Sequence, residues 1–144
     1  MKKIDRFEDL VVWQKARALT QKIYRVTRDR AFAKDISLGC QIQRASISIM
    51  ANIAEGFERN RPTEFHQYLS MAKGSCAEVR SHLYAAHDAG YLEKTHFDET
   101  LALAEEVGRI IGGLRASVDG QRSRLPQRAM GSSTQYSALS TQHL

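Results

Sequence analysis

The chain has 144 residues, 42% of them hydrophobic and 26% charged, with a formal net charge of +5 and only two prolines. That length suits one domain able to bury roughly two-thirds of its unfolded surface, and so few prolines leave room for long helices. The charge-free stretches Ile36 to Gln43 and Ala45 to Ala54 fall well short of the ~20 residues a bilayer crossing needs, and no apolar run follows the basic N-terminus, so neither a membrane span nor a secretory signal is read and a cytoplasmic location is expected.

Positive charge is concentrated early: residues 1–30 hold nine Lys and Arg against four Asp and Glu, whereas residues 91–118 hold three against five. The first predicted helix, about residues 7–28, carries Val12, Ala16, Leu19, Ile23 and Val26 on one face, with Trp13 and Tyr24 on a flank away from that core stripe. Arg17, Arg25 and Arg28 cluster on the opposite side. With Lys15 and Lys22 they make this helix the best candidate for contact with a polyanion, although many solvated helices are equally basic.

The second predicted helix, about 35–57, spreads Ile36, Cys40, Ile42, Ala45, Ile47, Ile49, Met50, Ile53 and Ala54 over roughly two-thirds of its circumference, as a helix buried on most sides would. One narrow polar stripe remains, Gln41, Arg44, Ser48, Asn52 and Glu55, whose spacing stacks all five side chains in a row. The stripe reads either as a buried hydrogen-bond ladder that fixes the register of an assembly or as the wall of a cleft or channel. A catalytic role is disfavoured, because Arg44 and Glu55 lie three helical turns apart, roughly 16 Å. Gly56 and the following Glu58-Arg59-Asn60-Arg61-Pro62 are expected to end the helix in a short polar turn.

The third predicted helix, about 63–89, has the strongest periodicity, with Phe65, Leu69, Ala72, Cys76, Val79, Leu83 and Ala86 on one stripe and Gly90 as a left-handed C-terminal cap. Along its edge His66, Lys73, Arg80 and His87 recur every seven residues. That row is either a solvated basic flank or a track for phosphates, with Lys73 and Arg80 as its contacts. The fourth helix, about 96–118, is expected to open with a capping box of Thr95 and Asp98 and to bury Phe97, Leu101, Ala104, Val107, Ile111 and Leu114. Gly108 and Gly112 on it should let a neighbouring helix approach closely. Residues 119–144 read as a polar, disordered tail with too little apolar surface to offset the entropy of ordering.

Cys40 and Cys76 occupy apolar helix positions with no Cys or His at ligand spacing, so they are read as buried, reduced thiols, and no metal or cofactor is expected. Ser46, Ser48 and Ser75 lack an elbow motif or a suitably patterned His, which argues against an enzyme. Four helices on short turns give an all-α, antiparallel up-down-up-down bundle, and the second helix has more apolar circumference than three neighbours can cover, which predicts self-association.

The run Gln43-Arg44-Ala45-Ser46-Ile47-Ser48-Ile49-Met50-Ala51-Asn52-Ile53-Ala54-Glu55-Gly56 resembles the signature of the bacterial four-helix-bundle family encoded by intervening sequences of 23S rRNA genes. Phe7 to Ala16, Glu64-Phe65, Ala72 to Ser75, Glu78 and Gly90-Tyr91-Leu92 support the resemblance, which covers about residues 4–115. It implies a ring-like homopentamer with a central channel, no known enzymatic activity and an association with nucleic acid. The accessory proteins of diversity-generating retroelements look like distant relatives, and there a basic pentamer engages a reverse transcriptase and nucleic acid. The segment Arg30 to Asp35 departs from the family pattern in lacking a proline and a glutamate. Two readings follow: a homo-oligomer that binds RNA or DNA through its basic surfaces, with Arg44, Asn52 and Glu55 holding the assembly together, or a scaffold that docks an acidic protein partner.

Overall fold

The apolar stripes of four long helices close on one another in the computed structural model, which describes residues 3–124. A 3-10 turn at Phe7–Asp9 leads into α1 (Val11–Thr27), followed by a single-turn helix α2 (Arg30–Lys34), then α3 (Ile36–Glu58), α4 (Pro62–Asp88) and α5 (Lys94–Arg124). There are no strands among the described residues. Helix α1 packs on α3 and α5, and α4 packs on the same two, so the long helices stand as four corners around one core.

The predicted stripes of the first and third helices supply that core without exception: Val12, Ala16, Leu19, Ile23 and Val26 from α1 and Phe65, Leu69, Ala72, Cys76, Val79, Leu83 and Ala86 from α4 are all buried. On α5, Phe97, Ala104, Val107, Ile111 and Leu114 are buried and Leu101 is half-buried. Each fully buried Leu, Ile or Phe contributes about 1.5–3 kcal/mol over its exposed state, which is what holds helices of ordinary propensity together.

Local chemistry sets the helix ends. Asp35 caps α3, its carboxylate accepting from the Leu38 amide at 3.0 Å and from the Tyr91 hydroxyl at 3.0 Å, so one side chain both starts a helix and ties down the α4–α5 connection. The same carboxylate pushes the Tyr91 phenol above its ordinary pKa. At the far end of α4, the Tyr91 amide reaches back to the Ala86 carbonyl at 2.9 Å and the Gly90 amide to His87, with Gly90 at φ 83°. This is the left-handed cap expected at Gly90.

Four local expectations change. The segment Arg30 to Asp35 is not an open loop, because Phe32 is fully buried against Tyr91 (ring centroids 5.4 Å) and pulls its neighbours into α2, capped by Asp29. Helix α3 runs through Gly56 to Glu58, and the left-handed turn residue is Asn60, at φ 57°. Helix α5 begins at Lys94, so Thr95 lies inside its first turn rather than capping it, and it continues to Arg124, six residues past Val118. Residues 125–144 of the predicted tail lie outside the described residues. Trp13 is half-buried, its ring edge-on to Phe7 at 5.1 Å, so it contributes less open apolar surface than its flank position implies.

Candidate nucleic-acid interface and assembly face

The basic residues of α1 divide into two groups according to what α5 places opposite them. Lys15 lies 3.1 Å from Glu106 and Lys22 3.2 Å from Glu99. The order of these pairs, ascending on one helix and descending on the other, is that of antiparallel neighbours. Both lysines, predicted as phosphate contacts, are therefore engaged with the acidic fourth helix of the bundle. Arg17, Arg25 and Arg28 make no such pair and are exposed. Arg17 stacks over the Trp13 ring at 5.7 Å, which holds its guanidinium against the surface. Arg25 and Arg28 have no acidic partner within salt-bridge distance among the described residues, and they line a surface groove of about 590 Å³ with Lys22, Tyr91 and His96 and with the carboxylates of Asp29, Glu93 and Glu99.

The seven-residue row on α4 is likewise split. His66 meets Asp119 at 3.2 Å, and His87 stacks on Phe97 (4.5 Å) while its Nδ1 contacts the Leu92 carbonyl, so both histidines are half-buried fasteners rather than links in a phosphate track. Lys73 and Arg80 are exposed and share a shallow groove with Arg109 of α5, a third cation that sequence reading missed because it lies on another helix. Glu105 borders the same groove, and the Lys73 ammonium reaches the Gly108 carbonyl at 3.4 Å. The glycines of α5 do face a neighbour, α4, but a Cβ on either would sit 3.5 Å from Cys76 Sγ or Lys73 Nζ, an ordinary contact distance. Cys76 is buried and donates to the Ala104 carbonyl, and its burial pushes the thiol pKa up.

The polar stripe of α3 is not a continuous buried ladder. Ser48 and Asn52 are half-buried: Asn52 Nδ2 donates to the Ser48 carbonyl and hydroxyl, and Ser75 Oγ of α4 donates to Ser48 Oγ at 2.9 Å. Gln41 is exposed and bonds Ser37. Glu55 is also exposed, accepting from Tyr68 at 3.0 Å and from Arg59 at 3.3 Å, while Arg59 lies over the Tyr68 ring. Directly beneath, a Cβ at Gly56 would stand 2.5 Å from Tyr68 Cβ. The Asn-Ile-Ala-Glu-Gly tract thus builds the α3–α4 corner through close packing. Arg44 is exposed with no side-chain partner among the described residues.

Alongside Arg44 the outer face of α3 is apolar and open. Ile36 is 74% exposed and Ile47 45% exposed, and Ala51 is exposed as well. Cys40 lies on this face too, so it is not the buried thiol expected from its apolar position. The apolar circumference read from the sequence is real, and the chain's own helices cover only part of it. Among the described residues, no group of three or more His, Cys, Asp or Glu converges to hold a metal ion, and no helix is long and apolar enough to cross a membrane.

A crystal structure of a protein of unknown function from the S23 ribosomal protein family of Bacteroides thetaiotaomicron has the same fold, with a TM-score of 0.67 at 20% identity over 73% of this chain and 98% of that one. No curated protein matches the chain. The family model described as 23S rRNA-intervening sequence protein matches residues 8–113, from the turn before α1 to the glycines of α5. That span takes in the Gly56–Tyr68 corner and the open α3 face alike, and on it the chain belongs to the family of 23S rRNA-intervening sequence proteins.

Proposed function

We propose that this chain is a cytoplasmic, non-enzymatic homo-oligomer, a pentamer, whose exposed basic surfaces bind RNA or DNA without strong sequence preference. The observation that carries the binding reading is the pair Arg25 and Arg28, exposed and without an ion pair among the described residues, beside a groove that holds Tyr91 and His96 as well as Asp29, Glu93 and Glu99. Such an arrangement offers phosphate contacts and an aromatic edge but no base-reading geometry, which favours backbone recognition. Lys73, Arg80 and Arg109 make a second basic surface. Self-association is supported by Ile36 and Ile47, large apolar side chains that water contacts in a single copy.

Two measurements test this reading. Affinity for a homopolymeric single strand should fall steeply with salt, and Arg25→Ala with Arg28→Ala should flatten the slope of log K against log salt by about 1.4, since each phosphate contact on a single strand contributes about 0.7 to it. A flat salt response in the unaltered protein refutes nucleic-acid binding and favours the docking of an acidic protein. Light scattering should give five chains of 16.2 kDa, about 81 kDa in all. A monomer mass refutes the assembly.

A further inference from the structure

The exposed large apolar side chains among the described residues are Ile36 and Ile47 on α3 and Met71 and Tyr84 on α4. Ile36 and Ile47 flank Arg44 on the outer face of α3, and Met71 lies seven residues from Glu78 on the outer face of α4, whereas Tyr84 is turned toward α5 with its ring on Phe97; Arg44 and Glu78 are both exposed without an ion-pair partner among the described residues. Packing α3 on α3 of a second copy would bring two Arg44 side chains together, and packing α4 on α4 would do the same to Glu78, whereas α3 against α4 offsets both charges. We propose that copies of this chain join head to tail, the outer face of α3 on one copy docking on the outer face of α4 on the next, with Arg44 paired to Glu78. This rests on the self-association proposed above and specifies its surface.

The bundle also sets the register of that contact. Ser48 meets Ser75 at 2.9 Å within one chain, and α3 and α4 are antiparallel, so every step along one helix is matched by a step back along the other. Rotation about an axis parallel to the helices leaves heights unchanged, so the same levels face each other between copies. Arg44 is then level with Val79, beside Glu78. Ala51 is level with Ala72 beside Met71, and Cys40 is within a turn of Ser81. The charge pair, Ala51 with Met71, and Cys40 with Ser81 therefore match without any shift. Because α3 and α4 are neighbouring corners, their outer faces point in different directions, and a contact that turns at each step closes a ring instead of stopping at a pair.

Cys40 is exposed on this face and Ser81 is exposed on the other, which makes the contact directly testable. In the full-length protein, Ser81→Cys should give, on mild oxidation, a ladder of covalent species up to the full oligomer. Adding Cys40→Ser should abolish it, and the unaltered protein should form no ladder. Arg44→Glu alone should weaken self-association by about tenfold or more, and Arg44→Glu with Glu78→Arg should restore it. Three results would overturn the contact while leaving the assembly intact: covalent dimers through Cys40 alone in the unaltered protein, an oligomer of Ser81→Cys that never cross-links between chains, or a doubly swapped variant no better than the single one. A monomer mass throughout would instead remove the assembly itself.

Discussion

The α3–α4 seam and the α1–α5 seam join helices of the same bundle by opposite means. Across α3–α4 the backbones come so close that Gly56 leaves no room for a Cβ beneath Tyr68, and two short hydroxyls, Ser48 and Ser75, meet in the seam, with the Tyr68 hydroxyl on Glu55 at its exposed edge. Across α1–α5 the contacts run through long arms, Lys15 to Glu106 and Lys22 to Glu99, with side chains 29–54% exposed. Short buried groups fix position, because neither side can move without leaving a polar atom unpaired or a void unfilled. Long solvated ones mainly set which helices prefer to be neighbours.

The strongest way to break this contrast is Gly56→Ala. The added methyl meets Tyr68 Cβ, which cannot rotate away, so α4 must shift, and a destabilisation of about 1–3 kcal/mol is expected in urea unfolding even though alanine favours the helix. An unchanged midpoint would mean that the corner is looser than its geometry. Ser75→Ala should cost about 0.5–1.5 kcal/mol by removing the donor to Ser48, with no dependence on salt. Smallest is Lys22→Ala, expected to change stability by less than about 1 kcal/mol and to lose even that effect in high salt. A Lys22 effect larger than that of Gly56 would reverse the contrast between the seams.

The signature tract that identifies the family lies on the tight seam, and this explains what could be read from it. Its buried residues are constrained by packing, so they mark the fold, while the exposed arginines that would meet nucleic acid lie elsewhere, on α1 and in the α4–α5 groove. Of the five residues in the α3 stripe, Ser48 and Asn52 do bond in the seam, Glu55 bonds at its exposed edge, Gln41 bonds Ser37 of its own helix, and Arg44 is left open. Spacing placed all five on one line. It could not tell which part of the line a neighbouring helix would cover.

Sequence by itself determined the four long helices, the faces that α1, α4 and α5 bury, and the Gly90 cap, because those depend on a repeat of 3.6 residues and on local backbone preference. Tertiary structure alone decided that Lys15 and Lys22 are taken up by α5, that Arg109 joins Lys73 and Arg80, that Gly56 is a packing residue, and that Ile36, Cys40 and Ile47 face outward. Each of these is a relation between residues far apart in the chain. A helix's own periodicity shows that a side is apolar, but whether anything covers that side depends on where the other helices stand.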